Sequence, residues 1–105
     1  MAAESKLEAY FVRKVRASEG RVRKLSWVGH NGAPDRMVWW QIFDEDPLLF
    51  FVELKAPGKK PNKRQEKEIG DLRHDGFDVF VIDSIAQADA FMAHAMWVRK
   101  SHLSL

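Results

Sequence analysis

The chain contains no cysteine in its 105 residues. Disulfides, thiolate metal ligands and cysteine nucleophiles are therefore excluded, and stability must come from one apolar core of the size that a single domain over 1–105 can build. No apolar run approaches the length of about 20 residues that spans a bilayer as a helix. The opening MAAESKLEAY lacks the basic segment and apolar stretch of a secretory signal, so the expected location is the cytoplasm. Glycine and proline are sparse and gather in GHNGAPD and APGKKP, which leaves no linker, repeat or low-complexity tract. The charge surplus is also small, 17 basic against 15 acidic residues. A net charge of +2 is only a faint global sign of an anionic partner, and the local clustering of charge carries more information.

The periodicities predict the element order α-β-β-β-α-β-α. Leu7, Tyr10, Phe11 and Val15 recur at helical spacing across 4–20, with Gly20 as the stop. RVRKLSWVG (21–29) reads as a short strand and GHNGAPDR as a loop. MVWWQIF (37–43) and LLFFVELK (48–55) read as a hairpin of strong strands turned at DEDP. Asn62 is a suitable N-cap for a helix that ends near Gly76, FDVFVID (77–83) is a short strand, and Ser84 with Gln87 opens a last helix to about Trp97. A strand–helix–strand step through 48–82 makes the sheet mixed. LLFFVEL is apolar almost throughout, as a central strand covered on both faces should be. The expected class is α/β, with about four strands flanked by helices.

Within that central strand stands a carboxylate. Phe51, Glu53 and Lys55 share one face because side chains alternate. An unpaired charge there would cost several kcal/mol, so Glu53 needs a counter-charge. Two solutions stand open: an ion pair with Lys55 at the end of the sheet, or a divalent cation on Glu53 with Lys55 aimed at an anionic substrate. Asp35 favours the second. It lies in GAPDR at the rim of the neighbouring strand, where Pro-Asp is also an ordinary turn pair. Two carboxylates from adjacent strands, with the Leu54 carbonyl between Glu53 and Lys55, offer the oxygen donors preferred by Mg2+ or Mn2+. Glu8 borders the apolar stripe of the first helix, where a solvated glutamate near the helix N-terminus is the plain alternative. Gln65 lies at the N3 position of a capping box with Asn62 and on the same helix face as Ile69 and Leu72. The histidines show no metal-ligand spacing, and His30 beside Asn31 lacks the rest of a ββα-metal pattern.

The set Asp35, Glu53 and Lys55, in PDR…VELK, resembles the PD-(D/E)xK nuclease signature. Glu8 on the first helix and Gln65 in KRQEKEI narrow the likeness to the VRR-NUC branch, over Glu8 to about Gly76. The ordered set resembles the standalone, often phage-encoded members. That resemblance implies a restriction-endonuclease-like mixed sheet and a metal-dependent endonuclease acting on branched DNA such as four-way (Holliday) junctions, in repair or recombination. It implies a catalytic set of Glu8, Asp35, Glu53, Lys55 and Gln65, with Mg2+ or Mn2+ held by Glu8, Asp35, Glu53 and the Leu54 carbonyl. It also gives a role to Lys59, Lys60, Lys63, Arg64 and Lys67, which follow the site and suit phosphate contacts. A second basic group runs through Arg13, Lys14, Arg16, Arg21, Arg23 and Lys24. No recognition helix or zinc finger is present, so base-specific readout is not expected. A non-catalytic nucleic-acid-binding or assembly subunit on the same fold is the alternative; such a protein would be expected to have lost Asp35, Glu53 or Lys55, and all three are present. Two-fold junction symmetry and family likeness imply a homodimer, with Trp97, Val98, Leu103 and Leu105, or Met37, Trp39 and Phe43, as its apolar patch.

Overall fold

The computed structural model describes residues 2–103, with side chains from Lys6 to His102. The Leu103 and Leu105 side chains, named above for a dimer patch, lie outside the described set. Seven elements follow the expected order: α1 (Ala2–Ala17), β1 (Arg21–Lys24), β2 (Arg36–Trp40), β3 (Leu48–Leu54), α2 (Lys63–His74), β4 (Val79–Ile82) and α3 (Ile85–Leu103). The strands form one sheet in the order β1-β2-β3-β4. The first three are antiparallel, and β4 joins β3 in parallel after the α2 crossover.

Strand alternation sorts the core into two layers. Val38, Trp40, Phe50, Val52, Leu54 and Ile82 face α1 and α3, where they meet Phe11, Val15 and Phe91. Phe50 sits 5.1 Å from Phe91 in an edge-to-face pair, a geometry that adds to the stabilisation from apolar burial. On the other face Phe51 and Val79 pack with Ile69 of α2. The adjacent tryptophans point oppositely: Trp40 is fully buried in the first layer, and Trp39 is half-buried beneath the Arg23 guanidinium. β3 is thus covered on both sides, as its apolar sequence requires.

Three boundaries differ from the sequence expectation, the first being β2, which spans Arg36–Trp40 and not 37–43. β1 stops at Lys24, and Leu25 and Trp27 begin a loop instead. The Leu25 amide still donates to the Asp35 carbonyl at 2.9 Å, closing the base of that loop. α3 does not end near Trp97 but continues to Leu103. Arg99 holds this extension by donating to the Ser18 carbonyl at 3.0 Å, and Val98 is half-buried while Trp97 stays exposed. Gly20 follows the end of α1, but the positive φ there belongs to Glu19, at 71°. Gly20 is required for a different reason. A Cβ at that position would stand 2.7 Å from both the Trp40 ring and Val15 Cγ1.

These two neighbours should respond oppositely to mutation. Gly20→Ala forces Trp40 to shift in a packed core and should cost about 1–3 kcal/mol in urea denaturation. Glu19→Gly relieves a left-handed conformation that disfavours side chains by roughly 1–2 kcal/mol, so it should be neutral or stabilising. A Gly20→Ala protein as stable as wild type would contradict the close approach.

Candidate active site

The pairing of β3 with β2 stops at Arg36↔Val52, while β3 stays bonded to β4 through Leu54 and Lys55, and Asp35, Glu53, Lys55 and Gln65 meet at this end of the strand. Glu53 is 1% exposed. Its Oε1 accepts the Asp35 backbone N–H at 3.1 Å. Its Oε2 accepts Gln65 Nε2 at 2.7 Å and lies 2.9 Å from Lys55 Nζ. Three donors from three segments therefore hold one carboxylate, which makes its burial tolerable.

Asp35 is fixed as tightly. Its carbonyl accepts from Leu25, its amide serves Glu53, and its Oδ2 accepts the Leu54 amide at 2.9 Å. In an extended strand the N–H and C=O of one residue leave by the same edge. The Leu54 carbonyl therefore leaves β3 on the side where Asp35 sits.

Gln65 performs two tasks through one side chain. Its Oε1 accepts the Asn62 amide at 2.9 Å and completes the capping box of α2. Its Nε2 is consequently turned toward Glu53. The cap thus sets the amide orientation that the carboxylate needs.

The loop bearing Asp35 is fastened to α2 by contacts that the sequence did not disclose. Trp27 Nε1 donates to Glu68, and His30 Nε2 lies 3.0 Å from the other oxygen of the same carboxylate. Gly32, at φ 92°, sits so close to α2 that a Cβ would meet the Arg64 carbonyl at 2.6 Å. Glu68 lies one turn beyond Gln65, and that spacing was the available signal.

Glu8 stands apart from this group. Its Oε1 pairs with Arg36 at 2.6 Å, and Arg36, 6% exposed, also donates to the Asp35 carbonyl. Arg36 alternates with Asp35, so the pair occupies the α1 side of the sheet while Glu53, Lys55 and Gln65 occupy the α2 side. Among the described residues, no three acidic or histidine side chains gather to hold an ion by themselves. The basic residues named for DNA, Lys59, Lys60, Lys63, Arg64 and Lys67, are all exposed, and Lys67 pairs with Asp71 at 2.8 Å.

The donor chemistry suits a hard cation. Lys55 supplies one positive charge to a site with two carboxylates. Magnesium-type sites commonly use one or two carboxylates and complete their shell with carbonyl, water and substrate phosphate oxygens. Asp35, Glu53 and the Leu54 carbonyl are the residues that would hold such an ion.

No protein-family model matches the chain. It is 37% identical to "Putative nuclease p44" of Acyrthosiphon pisum secondary endosymbiont phage 1, over 77% of this chain and 83% of that protein. It also superposes on a solved VRR_NUC domain with a TM-score of 0.77 at 35% identity, covering 88% of this chain and 96% of the other.

Burial raises the Glu53 carboxyl above the ordinary carboxylate range, and the Asp35 charge adds to that; the Lys55 contact and the Asp35 amide oppose the rise without cancelling it. A carboxyl raised on folding binds more protons in the native state. The metal-free protein is therefore free of this penalty below the unfolded-state value, about 4.3. It loses stability as pH rises from there through the raised folded value. In EDTA the melting temperature of Glu53→Gln relative to wild type should accordingly climb as pH rises above about 4.3. A difference that stays flat or falls as pH rises would contradict the buried, raised carboxyl.

Proposed function

This chain belongs to the VRR-NUC family of nucleases, and from that membership and the geometry around Glu53 we propose that it is a Mg2+- or Mn2+-dependent endonuclease that hydrolyses phosphodiester bonds in branched DNA, four-way junctions foremost. The observation that carries this reading is the buried Glu53 carboxylate, held against Asp35 and shared by Lys55 and Gln65.

Each residue has a definable task. Asp35, just ahead of β2, and Glu53 of β3 present carboxylate oxygens fixed before substrate arrives. Gln65 prevents Glu53 from rotating away. Lys55, whose ammonium stem leaves the sheet at its open end, brings positive charge to the phosphate and stabilises the negative charge that builds on it during attack by water. A divalent ion held here would act as a Lewis acid on the phosphate oxygens. Hydrolysis breaks the P–O bond as the water oxygen bonds to phosphorus; the attacking water gives a proton to solvent and the departing alkoxide takes one from solvent, leaving a phosphomonoester and an alcohol. Glu8, paired with Arg36, supports the Asp35 segment from the reverse face.

The preference for branched DNA rests on the likeness to junction-cutting members and on a sequence that offers phosphate-binding charge without a base-reading helix. A junction with two-fold symmetry needs two coordinated cuts, so the working unit we assign is a homodimer. Phe43 is 81% exposed and Trp97 68% exposed. Glu45 and His102 meet at 2.9 Å, which brings the β2–β3 turn to the end of α3, so both aromatics can serve one self-complementary patch.

A labelled four-way junction should be cut by wild type with Mg2+ or Mn2+ and not in EDTA. Glu53→Ala and Lys55→Ala should each lose about 10²-fold or more in rate, while Lys55→Ala still retards the junction in a gel. Tight binding by wild type without cleavage in any divalent ion would overturn the enzymatic reading.

A further inference from the structure

A groove of about 390 Å³ lies between α1 and the β1–β2 edge, on the face of the sheet opposite Lys55 and Gln65. Its walls carry Arg16, Lys24 and Arg36 against the single carboxylate of Glu8, with Val12 and Val22 as apolar lining. Arg36 is nearly buried and held from two sides, by Glu8 and by the Asp35 carbonyl, so its guanidinium is preorganised rather than mobile. Arg16 and Lys24 are exposed, and neither makes an ion pair among the described residues.

We propose that this groove is a second phosphodiester-binding site, which takes backbone phosphates of the same DNA on the reverse side of the sheet from the scissile bond. The inference rests on the nuclease reading above and adds a contact surface to it. The exposed Arg16 guanidinium offers the planar donor fork that matches phosphate oxygens, above a groove floor held in place by the buried Arg36–Glu8 pair. Arg16 and Lys24 at the rim attract a polyanion, while the valine lining suits the apolar edge of a sugar. The position is also determined by the chain. Arg36 directly follows Asp35, so a DNA backbone passing the start of β2 can leave the carboxylate site and enter the groove. Lys59, Lys60, Lys63 and Arg64 provide the corresponding charge on the α2 side.

The test uses the full-length protein and a fluorescent four-way junction in EDTA, with affinity measured from low to moderate salt. The Arg16→Ala/Lys24→Ala double variant should flatten the slope of log affinity against log salt by up to about 1.8, two contacts at roughly 0.9 each. It should bind at least about tenfold more weakly at low salt. The charge-preserving Arg16→Lys/Lys24→Arg pair should retain the wild-type slope, which separates charge from folding. Ethylation interference on wild type should show two separated blocks of essential phosphates, one of which disappears in the alanine double variant. An unchanged slope together with a single block would overturn the second site. If the slope falls as expected but no divalent ion supports cutting, the groove stands and the nuclease reading fails.

Discussion

One carboxylate organises the molecule. Glu53 is buried at the end of the central strand, where an apolar residue would suit the surrounding layers better. Its charge is tolerable only because the Asp35 amide, the Lys55 ammonium and the Gln65 amide all reach it. Those partners come from the β2 entry, from β3 itself and from the start of α2. A single side chain therefore sets the position of three segments relative to one another. Removing any partner would leave the carboxylate less satisfied, and burial, the largest influence on it, raises its carboxyl against the opposing pull of Lys55 and the Asp35 amide.

The fold supplies what this carboxylate needs by ordinary means. The β2–β3 register sets Arg36 opposite Val52 and so brings Asp35 alongside the Glu53–Leu54 step. The parallel β3–β4 pair demands a crossover helix, and the N-terminus of that helix lands beside the site. The capping box then turns Gln65 toward Glu53 at no extra cost to the helix. On the reverse face the Arg36–Glu8 pair fastens α1 to the same strand end. Structural economy and chemistry are thus served by the same residues, with the cap and the ion pairs doing double duty.

Much of this was legible in the sequence because it is local. Alternation in LLFFVELK places Glu53 and Lys55 on one face and the aromatics where the core needs them. Asn62 and Gln65, three residues apart, declare both the cap and an inward-facing amide. What could not be read depends on partners distant along the chain. Arg36 and Glu8 are separated by most of α1, the whole of β1 and a loop, so an early glutamate and a Pro-Asp-Arg turn do not announce their pairing. Trp27 looks like strand material by composition. It leaves the sheet because Glu68, 41 positions later, accepts its indole N–H. Gly20 reads as a helix stop, but the close approach of Trp40 is what excludes a side chain there. The tail from Trp97 reads as surplus because its anchor, Arg99, works through a carbonyl at the far end of α1.

The central claim is that Asp35 and Glu53 form a cation site on the α2 side of the sheet end. Anomalous diffraction from crystals grown or soaked in Mn2+ tests it directly. The account predicts a manganese peak in direct contact with the Asp35 and Glu53 carboxylates and the Leu54 carbonyl, with Lys55 Nζ released from Glu53 toward solvent or substrate. A peak placed instead on Glu8, or on the His30–Glu68 pair, with the Asp35–Glu53 contacts undisturbed, would contradict it.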